Sequence, residues 1–163
     1  MVSRRTAVVA AFLAGLAVGG LAVTAVVPTE RSLDPESPPH SIATASGCLP
    51  DSYPDVGNWV FTTSSDDGEL MVLNLTVEHP PNRTVETDLS YVGNGSYRFS
   101  IRTVEAEKAG TPDCPTGSTV ELSATFPDGF DSVTVVRDGE EVTTVQDTPD
   151  SGPTLRWLNV SGS

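Results

Sequence analysis

From Asn58 onward, apolar and polar side chains alternate with a period of two, the repeat of an extended strand with one buried face. Met71, Leu73, Leu75 and Val77 fall on one side of the stretch from Leu70 to Glu78, with Val72, Asn74 and Thr76 on the other. Val85, Thr87, Leu89 and Tyr91 repeat the pattern, as do Tyr97, Phe99, Ile101 and Thr103, and then Val120, Leu122, Ala124 and Phe126. Residues 58–63, with Trp59 and Phe61, add a first strand, and 154–160, with Trp157, a last one. Nothing after Pro28 reads as a long helix, though 105–110 can hold one turn.

The turns fix how these strands pair. A three-residue loop, Gly93-Asn94-Gly95, sets Tyr91 against Tyr97, Leu89 against Phe99 and Glu86 against Arg102. A two-residue loop would slip the register by one and turn the two apolar sets to opposite faces. Asp138-Gly139 is a two-residue hairpin signal. It predicts strands over 132–137 and 140–146, with Arg137 opposite Glu140 and Val135 opposite Val142. The fold class is therefore all-β: a single antiparallel two-sheet sandwich of immunoglobulin-like architecture with about seven or eight strands. A small barrel is the alternative.

Upstream the pattern changes. Ala7 to Val27 is an unbroken apolar run, preceded by Arg4-Arg5 and ended by Pro28. As a helix it would measure ~31 Å, about the thickness of a bilayer's hydrocarbon core. Basic residues before it and acidic ones after it orient residues 1–6 to the cytoplasm and the rest outward. The run is longer than the usual apolar core of a cleaved signal, and Val23-Thr24-Ala25 is a poor cleavage site. Residues 7–27 thus read as a retained transmembrane helix, with a signal peptide and a secreted product as the alternative. Ser3-Arg4-Arg5-Thr6 looks like a twin-arginine signal but lacks the hydrophobic residue expected soon after. Ala11, Gly15 and Gly19 form a small-residue face through which two such helices could pack.

Residues 28–46, with Pro28, Pro35, Pro38 and Pro39 among polar residues, read as a Pro-rich linker. Its stretch from Pro28 to Ala45 can reach ~55 Å if fully extended. His40 is expected to be solvated within it. The extracytoplasmic domain is then 47–163.

Charge narrows the partners. The chain carries 22 acids against nine bases, a net charge of −13. Lys108 is the only lysine. Such a surface repels nucleic acid and anionic headgroups. This acid-rich, Lys-poor, Ala/Val/Thr/Asp-heavy composition resembles that of exported single-domain proteins of halophilic archaea. The resemblance is compositional, and it implies a solvent near molar salt, where acidic self-repulsion is screened within ~3 Å.

Two cysteines in an exported domain imply a disulfide, Cys48–Cys114. The order Cys48, Trp59, Cys114 superficially matches an immunoglobulin domain, but Pro112 stands where the tyrosine corner belongs. Ala45-Ser46-Gly47-Cys48 loosely resembles a lipobox, although it lies far from the apolar run. Four Asn-x-Ser/Thr triplets begin at Asn74, Asn82, Asn94 and Asn159. Asn82 and Asn94 fall in expected connections and Asn74 on an outward strand face, so all three are reachable for N-glycosylation. Asn82 and Asn94 are the expected modified pair.

Catalytic chemistry finds little support. A hydrolytic triad needs a histidine, and only His40 and His79 exist; His79, before Pro80-Pro81, reads as a loop histidine. Neither blue-copper nor zinc ligand sets occur. The acidic turns holding Asp66, Asp67, Asp128 and Asp131 could supply oxygens to Ca²⁺, but this composition yields such turns at random. No phosphate-cradling Gly-rich loop is present. The expected function is that of a membrane-tethered binding or structural envelope module, without cofactor and not an enzyme. Its partner would be another envelope component, protein or glycan. The rival reading is an enzymatic or accessory domain working through acidic Ca²⁺ loops.

Overall fold

The computed structural model describes residues 36–49, 57–65, 67–107, 113–147 and 152–159. All of them belong to the unit Leu33–Ser163. The expected membrane run 7–27 lies outside the described residues, and no helix among those described is long and apolar enough to cross a membrane.

Among the described residues nine strands form: β1 (His40–Cys48), β2 (Asn58–Ser65), β3 (Gly68–Glu78), β4 (Arg83–Gly93), β5 (Ser96–Glu105), β6 (Thr116–Phe126), β7 (Ser132–Arg137), β8 (Glu140–Gln146) and β9 (Thr154–Leu158). They make two sheets, in the orders β1-β6-β3-β2-β9 and β4-β5-β7-β8. The alternation in the sequence becomes the layering of the molecule. Leu73 and Leu75 of β3, Val120 and Leu122 of β6, Phe99 and Ile101 of β5, and Val133 and Val135 of β7 are all fully buried in one core. Each such side chain contributes roughly 1.5–3 kcal/mol relative to exposure. An aromatic chain continues this core: Tyr91 to Tyr97 at 5.4 Å between centroids, Tyr97 to Phe126 at 4.8 Å, and Phe126 to Phe130 at 5.4 Å.

Four details differ from the sequence-based expectation. The sheets are not wholly antiparallel, because β5 and β7 pair in parallel. Parallel neighbours need a crossover, and here β6, a strand of the other sheet, supplies it. Hairpin signals relate only consecutive strands, so they are silent about this pair.

The β4–β5 register is the expected one, with Tyr91 opposite Tyr97 and Leu89 opposite Phe99. It is reached by a different route. Asn94 and Gly95, at φ 53° and 75°, form a two-residue turn, and a bulge between Tyr91 and Gly93 restores the phase. Val92 is the extra residue and is exposed.

A second bulge breaks the β7–β8 ladder after the expected Arg137–Glu140 pair. Val135 therefore lies opposite Thr143, not Val142. The shift turns Val145 inward, opposite Val133, where it is 5% exposed.

Residues 40–46, expected in the linker, belong to β1 instead. They pair with β6 from His40–Ala124 to Cys48–Thr116, and the Thr125 amide donates to the Pro39 carbonyl just before the strand. The sequence hides this edge strand because Ile42 alone packs against the core, while its neighbours are small and exposed. Cys48, at its end, is bonded to Cys114.

Candidate functional site

The two histidines take different places. His40 opens β1, exposed, with Nδ1 2.8 Å from the Pro38 carbonyl. His79, expected as a loop histidine at a strand end, stands just past the end of β3 and is buried. Its Nδ1 lies 2.9 Å from the Pro80 carbonyl, which can only accept, so Nδ1 carries a proton. In the neutral ring Nε2 then accepts from the Ser118 hydroxyl at 2.7 Å. Ser118 is also 2.7 Å from the Ser46 hydroxyl, and the Thr116 hydroxyl donates to the His79 carbonyl at 2.5 Å.

This is the pairing of a nucleophile and its base, yet Ser118 has no exposed surface for a substrate to reach. The cluster instead ties the end of β3 to β6 and β1. Among the described residues no buried side-chain nitrogen or oxygen lacks a partner. Alternation alone gave no sign of this cluster. The only hint was that Ser118 continues the inward phase of Val120, Leu122 and Ala124.

The acidic turns are engaged locally. Asp131 Oδ2 accepts from the hydroxyls of Ser96 at 2.9 Å and Ser132 at 3.2 Å. Asp138 accepts the Thr103 amide at 2.7 Å and its hydroxyl at 2.8 Å, tying the β7–β8 turn to β5. Asp147 accepts the Gly129 amide. Asp67 and Asp128 are exposed, and Asp66 lies outside the described residues. Among the described residues no three metal-ligating side chains cluster.

The four sequons are dispersed. Asn82 sits in the exposed turn before β4, Asn94 at the tip of the β4–β5 turn, and Asn159 just after β9. Asn74 faces outward from β3, with Nδ2 3.3 Å from Glu121 Oε1 on β6.

The outer faces of the two sheets differ in chemistry. On the four-stranded sheet, a depression of about 360 Å³ is lined by Arg98, Ser100, Arg102, Thr134, Val136 and Glu141, among others. Its two cations stand beside Glu86, Asp88 and Glu141. Arg102 pairs with Glu86 only at 3.8 Å, with both side chains well exposed, a contact of about 0–1 kcal/mol. This balanced surface has no strong preference for either sign of charge.

The five-stranded sheet presents an apolar outer face at its β9 edge. One cross-sheet row reads Leu155, Phe61, Val72, Ser123, and the next reads Trp157, Trp59, Asn74, Glu121. Leu155 is 53% exposed and Trp157 64%, while Trp59, Phe61 and Val72 are partly exposed. Glu121 is the one charged side chain within these two rows, in a chain of 22 acids. The Trp157 ring lies against Gly57, whose φ is +59° and where a Cβ would come within 2.5 Å of it. The intervening residue of the edge strand, Arg156, reaches instead to the Thr144 carbonyl of the other sheet at 3.3 Å. In the sequence Trp59, Phe61 and Trp157 are recognisable only as strand residues. Their shared outward face needs the β2–β9 pairing, which no turn signal announces.

Comparison with known protein families, with curated proteins and with solved structures finds no match.

Proposed function

We propose that this chain is an exported envelope module, held to the membrane by residues 7–27, that works by contact rather than by catalysis. In this reading residues 1–6 stay in the cytoplasm and the β domain, an immunoglobulin-like sandwich in architecture, stands outside on the Pro-rich stretch after Pro28. The observation that carries it is the apolar, acid-poor outer face around Trp157, Trp59, Phe61 and Leu155 in a chain of net charge −13. A contiguous exposed apolar surface on a soluble domain marks an interaction site. The Cys48–Cys114 bridge supports an oxidising compartment. The His79–Ser118 pair among the described residues has its hydroxyl fully buried, which favours contact over hydrolysis.

N-glycans on Asn82 and Asn94 would emanate from the β3–β4 and β4–β5 connections, outside the two rows. The partner is a further envelope component, protein or glycan. High external salt, as the composition suggests, would screen acidic repulsion and leave short-range apolar contact to act.

Site-specific photocrosslinking on intact native cells tests this. A photoreactive residue at Leu155 is expected to give a discrete adduct with an envelope component, and one at Glu140, at the start of β8 in the other sheet, none. Equal adducts from both positions, or none from either, contradict the reading.

A further inference from the structure

We infer that the outer face of the five-stranded sheet binds a neutral oligosaccharide chain of the envelope; this rests on the contact reading above and names the ligand. The inference comes from the order of residues along one row. Trp157 on β9, Trp59 on β2, Asn74 on β3 and Glu121 on β6 are successive cross-strand partners. They cross the sheet over three strand spacings, ~14 Å, the length of a short oligosaccharide rather than one ring.

The chemistry of the row changes along it in the way a sugar chain requires. A pyranose is amphipathic, with apolar C–H faces that stack on aromatic rings and equatorial hydroxyls that seek planar amides and carboxylates. The two indoles offer the first, and their ring N–H groups are donors besides. Asn74 and Glu121 offer the second. They already hold one another at 3.3 Å, a long contact that leaves most of their hydrogen-bonding capacity open. Thr76 and Thr119 add hydroxyls in the adjoining row, 3.3 Å apart.

Charge selects among saccharides. The only charge in the row is the Glu121 carboxylate, within a chain of net −13, so uronates and sulfated sugars are disfavoured and neutral ones accepted. A bilayer surface fits less well, since the two apolar rows contain no Lys or Arg to meet headgroup phosphates.

The full chain in dioleoylphosphatidylcholine nanodiscs is the test material, with hexasaccharides of glucose, mannose and N-acetylglucosamine as probes. Trp59 and Trp157 are the only tryptophans, so indole emission reports this face alone. At least one neutral probe is expected to shift emission to shorter wavelength and to lower acrylamide quenching by about two-fold or more, as desolvation of stacked indoles requires. Trp157→Ala and, separately, Asn74→Ser are expected to weaken that response by about ten-fold or more with the thermal midpoint nearly unchanged. A uronate hexasaccharide should bind about ten-fold more weakly than the best neutral probe.

The inference is overturned if no neutral probe alters quenching. Quenching by dibrominated acyl chains would assign the face to the bilayer, and protection that rises with protein concentration alone would assign it to a second copy. A covalent glycan on Asn74 in protein from native cells would remove the free amide, and with it the proposed site. None of these outcomes bears on export, which proteolysis of intact cells reads separately.

Discussion

Trp59 stands directly opposite Trp157 across the β2–β9 ladder, on the outward side of an edge that the rest of the chain leaves apolar. Their shared face exists because β9 pairs with β2, and the absence of a side chain at Gly57 lets the Trp157 ring lie against the chain. Gly57→Ala should therefore displace the ring, since the added methyl would sit 2.5 Å from it and alanine is strained at φ +59°. We expect a stability loss of about 1–2 kcal/mol and a red shift of indole emission. Denaturant unfolding followed by fluorescence measures both, and an unshifted spectrum would show that Trp157 does not rest there.

Gly68 and Gly139 offer a matched pair of backbone tests. Both have positive φ, but a Cβ at Gly68 would lie 2.1 Å from the Phe126 carbonyl oxygen, whereas nothing lies within 4 Å of one at Gly139. Gly139→Ala should cost about 1 kcal/mol of turn strain, and Gly68→Ala about 3 kcal/mol, because backbone must move against the β3–β6 ladder. Urea midpoints of the two variants give the comparison directly.

The His79–Ser118 bond calls for a double-mutant cycle. Ser118→Ala removes the donor from a buried imidazole nitrogen 2.7 Å away and should cost about 1–3 kcal/mol. Combining it with His79→Leu should cost less than the sum of the single changes, by about 0.5–3 kcal/mol. Simple additivity would mean that the two residues are independently placed.

The β7–β8 bulge has its own signature. With it, Val145 is buried and Val142 is only partly so. Val145→Asp should unfold the domain or cost at least about 3 kcal/mol, by burying an unpaired charge. Val142→Asp should cost about 1 kcal/mol. An unbroken hairpin would reverse the order. Thermal melts of the two variants decide it.

How far sequence reaches into this fold depends on which face a residue serves. The inward sets of β3, β4, β5 and β6 were legible, because burying one face forces apolar residues into every second position. The Tyr91–Tyr97 register was legible for the same reason, although the bulge at Val92 that achieves it was not. β1 escaped notice since an edge strand with one core contact, Ile42, carries almost no apolar signal. The parallel β5–β7 pairing and the β2–β9 pairing join strands distant in sequence, so no turn encodes them. Of the candidate site, the identities of Trp59, Trp157, Asn74 and Glu121 were in plain view. Their alignment in one row was not, because it requires three ladders at once.

The Cys48–Cys114 bridge joins the end of β1 to the segment leading into β6. For the loop it closes, the chain-entropy treatment gives about 4 kcal/mol, so Cys48→Ser with Cys114→Ser should lower the unfolding free energy by up to that amount. In the proposed reading the bridge forms because the domain is exported, and that makes it a direct test of the central claim, export of this domain. One portion of intact native cells is treated with external protease, and protein from an untreated portion is labelled with a thiol reagent before and after reduction. The account predicts that the β domain is digested from outside, and that both cysteines label only after reduction. A domain protected until the cells are lysed, with both thiols free, contradicts it.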